Sequence, residues 1–160
     1  MQSETFKYNA TMALGVLYVD DEVNNLNSFK AAFRRDFDIY TASSAREGRK
    51  ILDTQEIGVI ITDQRMPVMT GIEFLESIIP VYPDTIRILL TGFSDINAVM
   101  DAINRGQVYK YLVKPWQNDE LRMYIENALE IYHLRKENKD LARRLQLAHL
   151  ELENREKSQI

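Results

Sequence analysis

Five polar side chains stand at the places where apolar runs of the sequence stop. Asp20 and Asp21 follow VLYV, Asp63 follows VIIT, Thr91 closes ILLT, and Lys114 follows YLV. Three clustered carboxylates would repel one another unless a cation neutralised them, and oxygen ligands without His or Cys suit Mg²⁺. An ammonium and a hydroxyl could bind phosphoryl oxygens while a carboxylate attacks phosphorus to give an acyl phosphate. Taken singly, each residue has a simpler interpretation as a solvated loop or helix-start residue, so this chemistry requires a fold that brings them together.

Strand-like and helix-like segments alternate five times along the chain and would position these residues. The predicted strands are Leu14–Val19, Phe37–Thr41, Val59–Thr62, Ile86–Leu90 and Tyr109–Val113. Between them, apolar residues recur at helical spacing, and the pairs Ser44/Glu47 and Thr70/Glu73 have the spacing of capping boxes. Near-continuous apolar strands alternating with helices predict an α/β fold with a five-stranded parallel, doubly wound sheet. The expected strand order is the flavodoxin-like 2-1-3-4-5.

This strand order decides whether the polar residues meet. Ligands of such sheets bind beyond the carboxyl ends of strands 1 and 3, where the chain connections diverge to opposite faces. Asp20 and Asp21 end the first strand and Asp63 ends the third, so we expect three carboxylates in one crevice. Thr91 and Lys114 end the fourth and fifth strands at the same edge. The pattern therefore predicts phosphoryl transfer to Asp63 with Mg²⁺.

Composition narrows the class of protein. The 160 residues suit one domain with an appendage, and 45% hydrophobic residues suffice for a core. A net charge of −4 argues against direct nucleic-acid binding, and the lack of cysteine excludes disulfides and thiolate metal sites. No apolar run approaches the roughly 20 residues of a membrane span, and the first thirteen residues do not resemble a signal peptide. We expect a cytoplasmic protein that contacts no membrane.

The last predicted helix, from Asn118 to about Lys157, is too long to belong to one domain. It contains neither proline nor glycine, and at ~1.5 Å per residue it could exceed ~55 Å. Its later part has apolar residues at alternating spacings of three and four, as at coiled-coil a and d positions. This dimer seam comprises Ile131, Leu134, Asn138, Leu141, Leu145, Ala148 and Leu152. Asn138 falls at an a position, where a buried Asn favours a two-stranded coil, so we expect a homodimer.

Four motifs in register resemble the receiver domain of two-component response regulators. They are VLYVDDE, IITDQRMPVMTG, ILLTGFSD and YLVKPW, and the resemblance runs from about residue 14 to residue 130. It implies that Asp63 accepts a phosphoryl group from a sensor histidine kinase. It also implies that Mg²⁺ is bound by Asp20, Asp21, Asp63 and the backbone carbonyl of Arg65. Such a protein is a phosphoacceptor switch, limited as an enzyme to Mg²⁺-dependent self-phosphorylation and autodephosphorylation.

The same resemblance implies how phosphorylation changes the surface. Thr91 would turn toward the phosphoryl group, Lys114 would pair with it, and Tyr111 would swing inward. The altered surface would be the face formed by the fourth predicted helix (about Asp95 to Arg105), the fifth strand and the fifth helix (from about Asn118). Pro115 would follow a cis peptide bond. The residues expected to tune the lifetime of the phosphoryl group are Arg65, Gly92 and Phe93.

The motifs DQRMP and INRGQVYKYLVKPW are similar to those of receivers in larger regulators. In such regulators a helix leads into an HD-type phosphodiesterase, a diguanylate cyclase or a DNA-binding activator. We therefore divide the chain into an N-terminal extension (1–13), a receiver domain (14–130) and a coiled-coil helix (131–160), and we expect an output module to follow. A stand-alone receiver with a dimerising tail is the alternative.

Two other functions remain open at this point. A small phosphatase of the haloacid-dehalogenase type also combines Asp, Thr, Lys and Mg²⁺. That chemistry uses an Asp-x-Asp pattern on the first strand, where this chain has Asp20-Asp21-Glu22. A scaffold that dimerises without phosphorylation is the third hypothesis, and the complete set of strand-end residues weighs against it.

Overall fold

Five parallel strands form one sheet in the order β2-β1-β3-β4-β5 in the computed structural model, which describes residues 14–159. The strands are β1 (Gly15–Val19), β2 (Asp38–Ala42), β3 (Ile57–Asp63), β4 (Ile86–Thr91) and β5 (Lys110–Val113). Every pairing is parallel, and Val19 of β1 lies opposite Thr62 of β3. The predicted flavodoxin-like α/β fold and strand order are confirmed. The expected N-terminal extension, 1–13, lies outside the described residues.

Over the described residues, five helices connect or follow the strands. They are α1 (Val23–Phe33), α2 (Ala45–Thr54), α3 (Gly71–Ile78), α4 (Ile96–Asn104) and α5 (Asn118–Ser158), with a short 3₁₀ turn at Phe93–Asp95 before α4. The Ser44 side chain caps α2 by accepting from the Glu47 backbone N–H, and Thr70 and Glu73 form a full capping box at α3. Both predicted helix starts are therefore present.

The sheet is covered on both faces, as its apolar strands require. On one face, alternate residues such as Val16, Val59 and Ile88 pack against α1 and the first part of α5. On the other face, neighbours such as Leu17 and Ile60 pack against α2, α3 and α4. The central strand β3 is buried at every residue. This rigid strand carries Asp63 at its end.

The third strand begins at Ile57, two residues earlier than predicted. Gly58 interrupts the apolar run in the sequence, yet it lies within the strand and under α5. A Cβ at this position would lie 2.9 Å from Leu129 Cδ2 and 3.5 Å from Tyr132 Cδ1. The glycine is thus a close-packing position between strand and helix, which the apolar pattern alone does not reveal.

The long helix α5 changes environment along its length. Leu121, Ile125, Ala128 and Leu129 are buried against the sheet, whereas the leucines from Leu134 onward are exposed. Where α5 leaves the sheet, Lys136 forms an ion pair with Glu56, and Lys139 forms one with Asp84. These contacts attach the helix to the loops before β3 and β4. Among the described residues, no helix is both long and apolar enough to cross a membrane.

Candidate functional site

The three predicted acidic residues meet at the carboxyl edge of the sheet. Asp20, Asp21 and Asp63 each offer one carboxylate oxygen, and these oxygens lie within 4.8 Å of one another. Asp20 and Asp63 are buried, whereas Asp21 is exposed. They meet because β1 and β3 are parallel neighbours in register and end at the same level. Oxygen ligands in this number and spacing fit a divalent cation such as Mg²⁺.

Asp63 has a cationic partner from a more distant strand. The Lys114 ammonium lies 2.6 Å from Asp63 Oδ1, and the Gln64 backbone N–H donates to the same oxygen at 3.0 Å. Burial raises the pKa of Asp63 above its ordinary value. Lys114 opposes this rise, and the charge of Asp20 adds to it. Because burial destabilises the ionised form of Asp63, a cation bound beside it would stabilise that form.

Asp20 is held by three hydrogen-bond donors. Its Oδ2 accepts from the Tyr18 hydroxyl at 2.8 Å and from Asn25 Nδ2 at 3.1 Å. Its Oδ1 accepts from the Glu22 backbone N–H at 2.9 Å. Burial and the bond to Asp20 raise the pKa of the Tyr18 phenol. Sequence reasoning missed Tyr18 and Asn25, although Tyr18 lies two residues before Asp20 in β1 and so projects to the same face of the sheet.

The predicted switch residues occupy the far side of the same edge. Thr91 is buried at the end of β4, where its hydroxyl donates to the Gly92 carbonyl at 3.3 Å. Tyr111 is half-buried in β5, opposite Leu89, and packs against the core of the α3 and α4 face. The peptide bond between Lys114 and Pro115 is cis, as predicted. The structure therefore brings Thr91 and Lys114 to the same edge as the acids.

An ion pair joins two loops beside the site. The Arg65 guanidinium contacts Asp95 through two of its three nitrogens, with Nε 2.8 Å from Oδ2 and Nη2 3.0 Å from Oδ1. This arrangement links the loop after β3 to the start of α4, and Arg65 lowers the pKa of Asp95. Arg65 was predicted to belong to the site, whereas Asp95, four residues after Thr91, was not predicted.

The other two predicted tuning positions leave the site open. Phe93 is 83% exposed, so its ring does not cover Asp63 in this conformation. Gly92 has open space on its Cβ side, where the nearest atom, Asp95 Oδ2, would be 3.9 Å from an added methyl group. Neither residue therefore covers this side of the crevice.

Comparison with known proteins agrees with this geometry. The sequence model of the response regulator receiver domain matches residues 16–126. The hydrogenase transcriptional regulatory protein HoxA of Bradyrhizobium diazoefficiens is 33% identical over 122 residues, which are 76% of this chain and 25% of that protein. The chain thus spans about a quarter of the length of the curated relatives it matches.

Solved structures show the same fold. A receiver domain protein from Clostridium thermocellum has a TM-score of 0.71 at 33% identity, covering 76% of this chain and 98% of that one. A structure described as an adenylate cyclase from Rhodopirellula baltica has a TM-score of 0.77 at 31% identity, covering 81% and 96%. With its strand order, its acidic cluster and these matches, the chain belongs to the response regulator receiver domain family.

Proposed function

We propose that Asp63 accepts a phosphoryl group from the phosphohistidine of a sensor histidine kinase in a Mg²⁺-dependent reaction. The observation that carries the proposal is the cluster of Asp20, Asp21 and Asp63 within 4.8 Å, with the Lys114 ammonium 2.6 Å from Asp63. Membership of a family of two-component regulators supports a histidine kinase as the donor.

The reaction follows from the side chains at the crevice. An Asp63 carboxylate oxygen attacks phosphorus, the P–N bond to the donor histidine breaks, and the imidazole leaves with its electron pair. Asp20, Asp21, Asp63 and the Arg65 carbonyl would hold Mg²⁺, which when bound offsets the charge between carboxylate and phosphoryl group. Lys114 already faces the attacking carboxylate, so it is placed to bind a phosphoryl oxygen after transfer.

Phosphorylation would then alter the surface through Thr91. The phosphoryl group adds about two negative charges and new acceptor oxygens at Asp63. In the part of the chain that the structure describes, the Thr91 hydroxyl bonds only to the adjacent Gly92 carbonyl, and it can exchange that weak bond for one to the phosphoryl group. Movement of Thr91 frees space for the half-buried ring of Tyr111. We expect the face of α4, β5 and α5 to change in consequence.

The exposed part of α5 would transmit this change as a homodimer. Leu134, Leu141, Leu145 and Leu152 of the dimer seam are between 45% and 74% exposed, so they are accessible to a second copy. Ile131 packs partly against the core of the receiver, and the intermolecular seam would therefore begin at Leu134. In this proposal the receiver domain spans residues 14–130 and the coiled-coil helix spans residues 131–160. The dimer would control an output module.

One measurement tests the phosphoacceptor role against its alternatives. The protein is incubated with Mg²⁺ and acetyl phosphate or phosphoramidate, and its intact mass is recorded. We expect a gain of one phosphoryl group that is lost in Asp63→Asn and kept in Asp101→Asn, an exposed acid on α4. Repeated turnover of external phosphate esters would indicate the phosphatase instead. If neither donor modifies the protein, the result favours the hypothesis of a scaffold that dimerises without phosphorylation.

The dimer is tested separately by sedimentation equilibrium. Leu141→Lys places a charge in the seam and is expected to shift the protein to monomers. Leu147→Lys is the matched control, because Leu147 is similarly exposed but lies off the seam. Equal dimerisation of the two variants would show that the helices do not pair through these positions.

A further inference from the structure

A fully buried tyrosine hydroxyl lies directly behind the acidic cluster. Tyr18 is the fourth of the five residues of the core strand β1 and is 0% exposed. Its ring stacks on Phe29 of α1, with ring centroids 4.2 Å apart and an interplanar angle of 21°. Its hydroxyl donates to Asp20 Oδ2 at 2.8 Å. Burial, the stack on Phe29 and the bond to Asp20 thus fix the position of this donor.

The hydrogen bonds of Asp20 determine which oxygen can face a cation. Each carboxylate oxygen has two lone-pair sites. Both sites of Oδ2 are taken, by the Tyr18 hydroxyl and by Asn25 Nδ2. Within residues 14–159, Oδ1 accepts only from the Glu22 backbone N–H and keeps one site. Asp20 can therefore offer a single lone pair, on Oδ1, to a cation or to a water molecule bound to one.

Tyr18 differs from the other two donors in its burial. Asn25 and the Glu22 backbone lie near solvent, where water can replace a lost donor. No water can reach Oδ2 from the side of Tyr18, because the ring fills the space between β1 and α1. Without the hydroxyl, a lone pair of a buried carboxylate would face apolar atoms, and the side chain would turn to satisfy it.

We propose that Tyr18 is a positioning residue for the metal site, because its hydroxyl holds Asp20 so that Oδ1 remains directed to the cation. This inference rests on the proposed function, since it assumes that the acidic cluster binds Mg²⁺. Residues that orient a metal ligand in this way typically change metal affinity by about 10- to 100-fold when they are removed. The phenol donates to Asp20, whereas Asp63 Oδ1 is contacted by Lys114 and the Gln64 backbone N–H, so we expect the chemistry at saturating Mg²⁺ to be unaffected by the phenol.

The test is the substitution Tyr18→Phe, which removes the hydroxyl and keeps the ring that stacks on Phe29. Isothermal titration with Mg²⁺ alone is expected to show affinity weakened by about tenfold or more. The phosphorylation rate with acetyl phosphate, measured across Mg²⁺ concentrations, should need more Mg²⁺ but reach within about twofold of the wild-type maximum. Tyr40→Phe is the matched control, because it removes an exposed hydroxyl that donates to Gln55 and should leave both quantities unchanged.

The possible outcomes distinguish failure of the role of Tyr18 from failure of the proposed phosphoacceptor function. If the wild-type protein binds no Mg²⁺, the proposed function fails. If the wild-type protein binds Mg²⁺ and Tyr18→Phe binds it equally or more tightly, the role of Tyr18 is refuted and the function stands. A lower maximal rate with unchanged affinity also refutes it. Should Tyr18→Phe not fold, Phe29→Leu removes the ring on which Tyr18 stacks and so loosens the position of its hydroxyl, and unchanged Mg²⁺ affinity there refutes the inference.

Discussion

Gly71 is the residue whose replacement tests most directly how the fold holds Asp63. It is the first residue of α3, and its backbone N–H donates to the Gln64 carbonyl at 3.0 Å. A Cβ at Gly71 would lie 2.3 Å from the Asp63 carbonyl oxygen, 3.0 Å from its carbonyl carbon and 2.9 Å from Leu89 Cδ1. The leucine methyl can move aside. The carbonyl belongs to a central strand that is paired on both sides, so it cannot.

The sign of Gly71→Ala follows from two opposing effects. Alanine restricts the unfolded chain, which by itself would stabilise the protein by about 0.4–1 kcal/mol. Overpacking against a rigid neighbour costs about 1–3 kcal/mol, and a contact with strand backbone belongs at the upper end. We expect a net loss of about 2 kcal/mol in the free energy of unfolding, which for a domain of this size lowers Tm by about 4–8 °C. Displacement of Asp63 should also slow phosphorylation by roughly tenfold or more.

Urea unfolding and phosphorylation kinetics measure the two effects. Gly92→Ala is the matched control beside the same site, because its added methyl would meet no atom closer than 3.9 Å. The control is expected to stay within about 0.5 kcal/mol of wild type. If Gly71→Ala were as stable as Gly92→Ala and phosphorylated at the wild-type rate, α3 would be free to move away from β3, and the reasoning would be wrong.

Three further substitutions have expected outcomes. In metal-free protein, Asp63→Asn should raise the free energy of unfolding at pH 7, because burial raises the pKa of Asp63 and its ionised form opposes folding. That gain in the free energy of unfolding should vanish as the pH falls through the raised pKa toward the ordinary carboxyl pKa of about 4. Urea titrations of both proteins at pH 7 and at about pH 4 check it. Phe93→Ala should shorten the lifetime of the phosphorylated form, followed by intact mass, if the loop after β4 closes the exposed ring over the site; an unchanged half-life contradicts this. Thr70→Ala removes the oxygen that accepts from the Glu73 backbone N–H and should cost about 1 kcal/mol in urea unfolding, whereas an unchanged midpoint would show that the cap is dispensable.

The sequence by itself determined the sheet and the edge at which the site lies. Apolar strands that alternate with helices predict a parallel sheet. In such a sheet the carboxyl ends of all strands lie at the same edge. A residue at the end of a predicted strand is thereby placed in three dimensions without any contact being known. This is why Asp20, Asp21, Asp63, Thr91 and Lys114 could be assigned to one crevice from their positions in the chain.

Contacts between residues on different loops and helices were decided only by the tertiary structure. The pairing of Arg65 with Asp95 and of Lys139 with Asp84 joins residues far apart in the chain, and side-chain reach depends on how the helices pack. Tyr18 shows the same dependence, since its ring could stack on Phe29 only once α1 lay across β1.

The helix α5 shows where periodicity stops being informative. Ile131 and Leu134 belong to one repeat in the sequence, yet Ile131 packs against the core of its own domain and Leu134 is exposed. An apolar stripe indicates that one face of a helix is covered. The same spacing of apolar residues results whether that face packs against its own domain or against a partner. The sequence predicted the stripe, and only the packing of α5 on the sheet determined where the domain ends and the exposed seam begins.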